Sequence, residues 1–472
     1  MPDLRGWADA TTCVAQAASL TARRGGGARI RPVHPGLSAS RAPLAPGLPL
    51  SWPFGGTDVS ARDVIADLRS LAVGTSDVHG GAQRVAWGPI WRDARRWLDD
   101  LLGKAGLSAE ADAAGNRWIT LPGARPDTVV IGGHLDSVPS GGWLDGPLGL
   151  LAGVEALRRR KGTTPPVTLA VVDFADEEGA RFSRSLLGSS GASGSLVPES
   201  TRGLVDRHGV RLVDALAENG VDVDRMPEAR HALDRRRPRA YLELHIEQGP
   251  VLEAMGRSTG VVIGTYGVER HVLRFVGQAA HSGSTPIAMR KDAFLAAAET
   301  ALACREIARR HSTPAVGMVC TVGTVSVEPA IVTAVPGVCE IGLDQRAFEP
   351  ATLKQALADA QAAAARAAAA NGVSVEWRHV WRIDPCRFDA RLVELCAEAV
   401  QEVTGHAPRL ASGPLHDAVE MSRLMPAVMM FAVSSNGLSH CKEEDTPEAD
   451  LDVTIEAFLR LVDKTVEMVA AS

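Results

Sequence analysis

The sequence predicts an α/β protein: a mixed, mostly parallel sheet flanked by helices, with a smaller α+β module inserted into it. Three observations carry this expectation. Apolar runs at residues 128–131 and 167–174 read as strands and residues 148–160 between them as a helix, which together make a right-handed βαβ unit. Acids, histidine and glycines follow both runs, at the strand ends where such sheets build sites. The pattern then changes between about residues 261 and 383 and afterwards returns to its first style, so the first domain is discontinuous.

Taken in order, residues 1–57 are rich in Ala, Gly, Pro and Arg, lack periodicity, and hold six arginines against Asp3 and Asp9. Such a stretch cannot build a core and reads as a disordered extension. It superficially resembles a transit peptide, and a bacterial extension or misassigned start accounts for it as well. Helical patterns follow at 59–71 and 91–102, and a short strand at 241–246. The module, placed at 256–384, shows strands at 261–263, 271–276, 315–325, 338–343 and 374–381, with helices at 291–309 and before Asn371-Gly372. A helix at 389–403, a strand at 427–433 and a helix at 451–470 rejoin the first domain, giving it the parts 58–255 and 385–472.

A length of 472 residues implies two or three domains, and 45% hydrophobic with 22% charged residues is a globular composition. Beyond residue 57 there are 44 basic and 54 acidic residues (50 − 6 and 56 − 2), so the body is mildly acidic and nothing points to nucleic acid. Seven scattered cysteines without a C-x-x-C pair suit a reducing compartment, the cytoplasm. No apolar run approaches the ~18 residues of a membrane span.

Chemistry concentrates in GGHLDSVPSGGWLDGPLG, residues 132–149. His134 and Asp136 are two apart, on one face of an extended chain, and Asp145 follows a Gly-rich loop. Imidazole with carboxylate suits Zn²⁺ and neighbouring divalent ions, with Asp136 able to orient the ring from behind. After the second strand come Asp173, Asp176, Glu177 and Glu178, like charges whose repulsion a cation would offset. Glu177 and Glu178 point opposite ways in extended chain, so one can ligate while the other moves protons. His245 and His440 also lie at or beyond strands.

Seven stretches in order carry a resemblance: the one above, DFADEEGARF, LELHIEQGPVLE, AAHSGSTPIAMRKDA, GLDQR, SGPLHDA and GLSHCKEEDT. Over about residues 60–470 the chain resembles the dinuclear-metal amidohydrolases related to aminoacylases and metallo-exopeptidases, in particular the N-carbamoyl-L-amino acid hydrolase and allantoate amidohydrolase group. The resemblance implies a zinc-exopeptidase-like catalytic domain and an inserted lid and dimerisation domain. It implies two divalent ions per subunit, Zn or Mn, Co or Ni, bridged by Asp145. His134 and His245 would complete one ion and Glu178 and His440 the other, with Glu177 as general base and Asp136 holding His134. Two dications with Asp145, Glu178 and a bridging hydroxide sum to about +1, suited to an anionic substrate. In the module, His281 would polarise the scissile carbonyl, Arg346 grip the substrate carboxylate and Gln248 contact the carbamoyl or amide group. Arg290 matches a family position too, but opens a helix in Arg290-Lys291-Asp292, where ion pairs are the alternative.

Thr333 stands before Ala334-Val335-Pro336-Gly337 where relatives typically carry asparagine, which bears on substrate scope. Ala330 and Leu415 are further departures. The resemblance implies hydrolysis of N-carbamoyl-L-amino acids to amino acid, ammonia and carbon dioxide by a homodimer, with His281 reaching a neighbour's site. Allantoate, other ureido acids, N-acyl-amino acids and peptides are alternative substrates, and a non-catalytic binding protein is the non-enzyme alternative. A serine-hydrolase reading rests on Gly256-Arg-Ser258-Thr-Gly260, but a nucleophile elbow needs strand, serine, helix, and Ser258 precedes a strand.

Overall fold

A computed structural model describes residues 61–313 and 317–472. The extension expected at 1–57, and the first residues of the strand expected at 315–325, lie outside the described residues. The chain opens with α1 (Ala61–Thr75), which buries Val64, Ile65, Leu68 and Leu71 as one stripe at helical spacing, and α2 (Pro89–Lys104), started by a proline in its first turn. Next come β1 (Ala109–Ala111), β2 (Arg117–Leu121), β3 (Arg125–His134), α3 (Pro147–Arg158) and β4 (Val167–Phe174). Short helices α4 (Leu187–Ser193), α5 (Leu212–Glu218) and α6 (Ala229–Arg235) precede β5 (Pro238–Ile246), α7 (Val251–Met255) and β6 (Thr259–Thr265).

The inserted stretch holds β7 (Gly267–Val276), β8 (Ala280–His281), α8 (Ala293–His311), β9 (Val319–Glu328), β10 (Ala334–Val335), β11 (Val338–Ala347), α9 (Pro350–Ala370) and β12 (Ser374–Ile383). The chain then returns through β13 (Cys386–Arg387), α10 (Ala390–Thr404), β14 (Arg409–Ser412), α11 (Asp417–Ser422), β15 (Ala427–Ala432) and α12 (Glu448–Ala470).

Nine strands form the larger sheet in the order β1-β2-β4-β3-β5-β15-β6-β13, with β14 beside β6. Its centre, β4-β3-β5-β15, is parallel, and the outer pairs β1/β2, β2/β4, β15/β6 and β6/β13 are antiparallel. Parallel strands are covered on both faces, which is why β3 is buried continuously from Asp127 to His134 and reads as an unbroken apolar run. One face packs on α3, where Gly153 lies against Ile131 and Val171. The other face carries Tyr241, Glu243 and His245, and meets α11 through the Ala418 N–H, which Glu243 accepts at 2.9 Å. Each fully buried valine, leucine or isoleucine in this core contributes about 1.5–3 kcal/mol.

The module is a four-stranded antiparallel sheet, β12-β7-β11-β9, with α8 and α9 on one face. Alternation along β7 and β11 puts Leu273, Phe275, Ile341 and Leu343 under an Ala-lined stripe of α9 (Ala356, Ala360, Ala364). Asp292 caps α8 by accepting the N–H groups of Phe294 and Leu295. The strand expected at 261–263 as part of this module belongs instead to the larger sheet, as β6, pairing with β15 and β14. The reason is burial: β6 is covered on both faces along most of its length, whereas the module's strands alternate. The chain therefore leaves the larger sheet after Thr265, not at 256, and rejoins it at Cys386.

No helix among the described residues is long and apolar enough to cross a membrane. Cys304, Cys320, Cys339, Cys386, Cys396 and Cys441 are free thiols.

Candidate metal centre

His134 ends β3 and His245 lies one residue from the end of β5, its parallel neighbour, on the same face, with ring centroids 6.0 Å apart. Asp145 sits in the loop before α3. Its Oδ1 lies 3.0 Å from His245 Nε2 and 3.8 Å from His134 Nε2, and its Oδ2 3.4 Å from His440 Nε2. Glu178 Oε2 is 3.3 Å from the same His440 nitrogen. Two groups result, His134/Asp145/His245 and Asp145/Glu178/His440, in each of which one donor atom per residue lies within 4.8 Å of the others. Asp145 is common to both.

Gly146 makes the loop possible. Its φ is +84°, and a Cβ there would lie 2.4 Å from the His134 ring. Three neighbouring residues, Asp176 (φ 60°), Gln248 (57°) and His440 (56°), also take the left-handed conformation that non-glycine residues avoid, a concentration of backbone strain typical of functional sites.

The supporting contacts differ from expectation at Asp136. His134 Nδ1 pairs with the Asp136 backbone carbonyl at 3.1 Å, while the Asp136 carboxylate is 3.7 Å away. That carboxylate instead accepts the N–H groups of Glu177 and Glu178, both at 3.2 Å, and so ties the acid loop to the histidine loop. The His245 Nδ1–H is directed at the Ile246 carbonyl, 2.9 Å away, which leaves Nε2 for Asp145 or an ion.

The four acids after β4 divide. Asp173 pairs with Arg95 at 2.8 Å and accepts the Leu135 N–H, and Asp176 accepts the Trp87 Nε1–H at 2.6 Å. Glu177 and Glu178 are left to face the centre, Glu177 Oε2 lying 3.9 Å from His134 Nε2. Burial, with Asp417 and Glu178 next, pushes Glu177 well above the usual carboxyl range, and burial with Asp145 does the same to Glu178. Burial lowers His134 to about 4. Asp145 is held well below its ordinary value although burial works to raise it, because His245, His440 and His134 surround it. Negative charge thus exceeds what protein cations offset. His134 Nε2 and Glu178 Oε1 are also buried without a hydrogen-bond partner. Nitrogen and oxygen donors arranged this way suit Zn²⁺ and neighbouring divalent ions.

Gln248 Nε2 donates to Asp145 Oδ2 at 2.8 Å, while its Oε1 is buried and unpartnered. Arg346 reaches the catalytic part from β11: Nη1 donates to the Gly413 carbonyl at 3.0 Å and Nε to Asp344 at 2.8 Å. Gly413 lies three residues before His416, whose ring lies tilted against His245 with centroids 4.3 Å apart. His281 and Thr333 meet on the β8–β10 ribbon, where Ser282 N–H donates to the Thr333 carbonyl. His281 is exposed and accepts the N–H groups of Gly283 and Ser284; it takes no bond from the metal-ligand candidates among the described residues. Arg290 neither faces the centre nor forms ion pairs with its helix; it donates to the carbonyls of Thr285 (3.0 Å) and Ser282 (2.5 Å), clamping the turn after His281. Ser258 donates to Asp450 at 2.6 Å and leads into β6, not a helix.

Sequence reasoning missed Glu243, His416, Asp417 and Glu444, all buried around the centre. Glu243 carried a signal: it is two residues before His245 on one strand face, the same spacing as His134 and Asp136. All four stood inside quoted motifs.

Comparison with known proteins agrees with this geometry. An N-carbamoyl-L-amino acid amidohydrolase of Geobacillus stearothermophilus is 36% identical over 398 residues, covering 81% of this chain and 93% of that protein. An allantoate amidohydrolase of Bacillus subtilis is 30% identical over 411 residues, 86% and 98% of the two chains. A crystal structure of an amidase of the hydantoinase/carbamoylase family from Burkholderia multivorans superposes with a TM-score of 0.79 at 28% identity, covering 88% of this chain and 98% of that one. The relatives place the chain among hydrolases of amide C–N bonds, and the family model for peptidase family M20/M25/M40 matches residues 130–464. That match spans most of the chain and contains the residues grouped around Asp145, and the chain belongs to peptidase family M20/M25/M40.

Proposed function

We propose that the protein hydrolyses the carbamoyl C–N bond of N-carbamoyl-L-amino acids, giving the L-amino acid, ammonia and carbon dioxide. The observation that carries this reading is Asp145 shared between two ligand groups, with Glu177 facing the same space and Gln248 presenting an unpartnered oxygen beside it. His134, Asp145 and His245 would hold one divalent ion and Asp145, Glu178 and His440 the other. The orphaned His134 Nε2 and Glu178 Oε1 fit that assignment. When bound, such a pair supplies Lewis acidity and lowers the pKa of water toward neutrality.

The chain's own residues do the rest. Glu177 takes the proton of the attacking water and delivers it to the leaving nitrogen. Gln248 Oε1 accepts an N–H of the ureido group. Arg346 exchanges the Gly413 carbonyl for the substrate carboxylate, which a planar guanidinium grips with two parallel bonds. His281, exposed on its ribbon, polarises the scissile carbonyl in the site of a partner subunit, with Thr333 beside it, so the working unit is a homodimer. Asp136 positions the backbone of Glu177 and Glu178. The 36% identical relative favours carbamoyl acids, and the 30% identical allantoate amidohydrolase supports allantoate as the second reading.

Ammonia release from N-carbamoyl amino acids and allantoate, measured beside acetate release from N-acetyl amino acids, tests the proposal. The largest kcat/KM is expected for a carbamoyl acid. A larger value for allantoate replaces the first reading with the second, and release of acetate alone removes both.

A further inference from the structure

Glu444 is a 2%-exposed acid with no part in the chemistry above. Its Oε1 accepts the N–H groups of Leu144 (3.2 Å) and Asp145 (3.0 Å), and its Oε2 lies 2.9 Å from Ser439 Oγ. Ser439 Oγ is also 3.2 Å from Asp145 Oδ2 and 3.2 Å from Gln248 Nε2. A hydroxyl has one proton, so Ser439 can donate to only one of the two carboxylates, and Glu444 is the closer. An Asp145 oxygen relieved of that proton keeps its lone pairs for Gln248, His440 or an ion.

The contact is built in from the other side as well. A Cβ on Gly142 would lie 2.0 Å from the Glu444 carboxyl carbon, so the loop carrying Asp145 can reach Glu444 only with glycine at that position. Glu444 thus touches the loop of Asp145 and, four residues from His440, anchors the loop of the last ligand candidate.

We infer that Glu444 is a positioning residue: it fixes the backbone of Asp145 and accepts the Ser439 hydroxyl's hydrogen bond, so that Asp145 presents one oxygen to His134 and His245 and the other to Glu178 and His440. The inference rests on the two-ion reading above. It does not require Glu444 to touch substrate or ion.

Titration of the metal-free full chain with Co²⁺, followed by visible absorption, tests it. Wild type should take up two equivalents. Glu444→Ala should keep its far-UV circular dichroism but bind the second equivalent about tenfold or more weakly, the usual scale for losing a group behind a ligand. Glu444→Gln retains a carbonyl oxygen for the two amides and should stay within about threefold of wild type. Wild-type titration by Glu444→Ala overturns the inference, as does a Glu444→Gln no better than alanine. Should Glu444→Ala not fold, Gly142→Ala displaces the same carboxylate, and wild-type titration there is equally fatal. A wild-type chain that takes up fewer than two equivalents sinks the two-ion reading instead.

Discussion

The two sheets treat charge in opposite ways. In the larger one, Asp136, Asp173, Glu243 and Asp417 are at most 1% exposed, packed at strand ends where burial opposes ionisation. In the module, Arg270, Arg274 and Glu340 stand on the face away from the helices, their side chains 42–44% exposed, and pair with one another or with Asp344. A buried acid must be neutralised, by keeping its proton or by a cation such as Arg95 beside Asp173, and where acids and histidines converge on Asp145 a divalent ion can take that part. Surface ion pairs exchange partners at little cost, which is what the substrate-gripping part proposed for Arg346 requires of the module. Arg346 belongs to the module by chain position, yet bonds to a loop of the other part.

The largest effect should come from breaking charge balance in the larger sheet. Dialysis against a chelator should reduce hydrolysis to background and lower the melting temperature, and Zn²⁺, Mn²⁺, Co²⁺ or Ni²⁺ should restore both, since an ion that binds only the folded chain stabilises it. Activity that survives complete removal of metal would falsify the two-ion reading. Next in size is Glu177→Gln, expected to lower kcat by about 10²–10⁴-fold while two ions per chain remain bound. Because it removes one of several crowded acids, the metal-free variant should melt no lower than wild type; a clear fall would mean that Glu177 is structural.

On the module side, Arg346→Lys tests recognition. A point charge cannot reproduce two parallel bonds, and the loss of about 1.5–3 kcal/mol for a hydrogen bond to a charged group corresponds to a rise in KM of about 10–100-fold. Most of the change should fall on KM. A drop confined to kcat would move Arg346 from substrate binding to the chemistry.

How far the site was legible in sequence follows the same division. His134 with Asp136, and Glu177 with Glu178, are short-range patterns at the ends of apolar runs, and both landed at the centre. The module was read from a change of pattern between about residues 261 and 383. The contacts of Arg84, a buried guanidinium that donates to the Leu135 carbonyl at 2.7 Å, and of Glu444 with the Asp145 N–H were invisible, because those partners lie 51 and 299 residues away and no local period marks them. The strand β6 misled for a related reason: a short apolar run does not say which sheet will cover it. Asp136 lies beside His134 as the spacing suggests, but its carbonyl, not its carboxylate, meets the ring.

A smaller effect is expected at Thr333. Thr333→Asn adds a second donor at an exposed position of the ribbon, and should change kcat/KM for carbamoyl acids by about two- to fivefold, the scale of a partial gain in one hydrogen bond. A change that differs in sign between carbamoyl and acyl substrates would make Thr333 a determinant of scope. An identical change for all substrates would assign it to folding of the ribbon, where its carbonyl already holds Ser282.

The smallest effect belongs to Ser258. Its hydroxyl donates to Asp450 at the start of α12, and its carbonyl accepts the N–H of Val433 and the hydroxyl of Thr454, so the residue joins the β6 end of the sheet to the last helix. Ser258→Ala removes only the first of these contacts, and Asp450 sits in the first turn of α12, where a carboxylate is favourable without it. Stability should fall by about 1 kcal/mol and kcat/KM by less than about twofold. Loss of turnover at unchanged stability would revive serine chemistry and remove the division between a metal-bearing sheet and a recognising module, because Ser258 sits in neither the ligand groups nor the module's face.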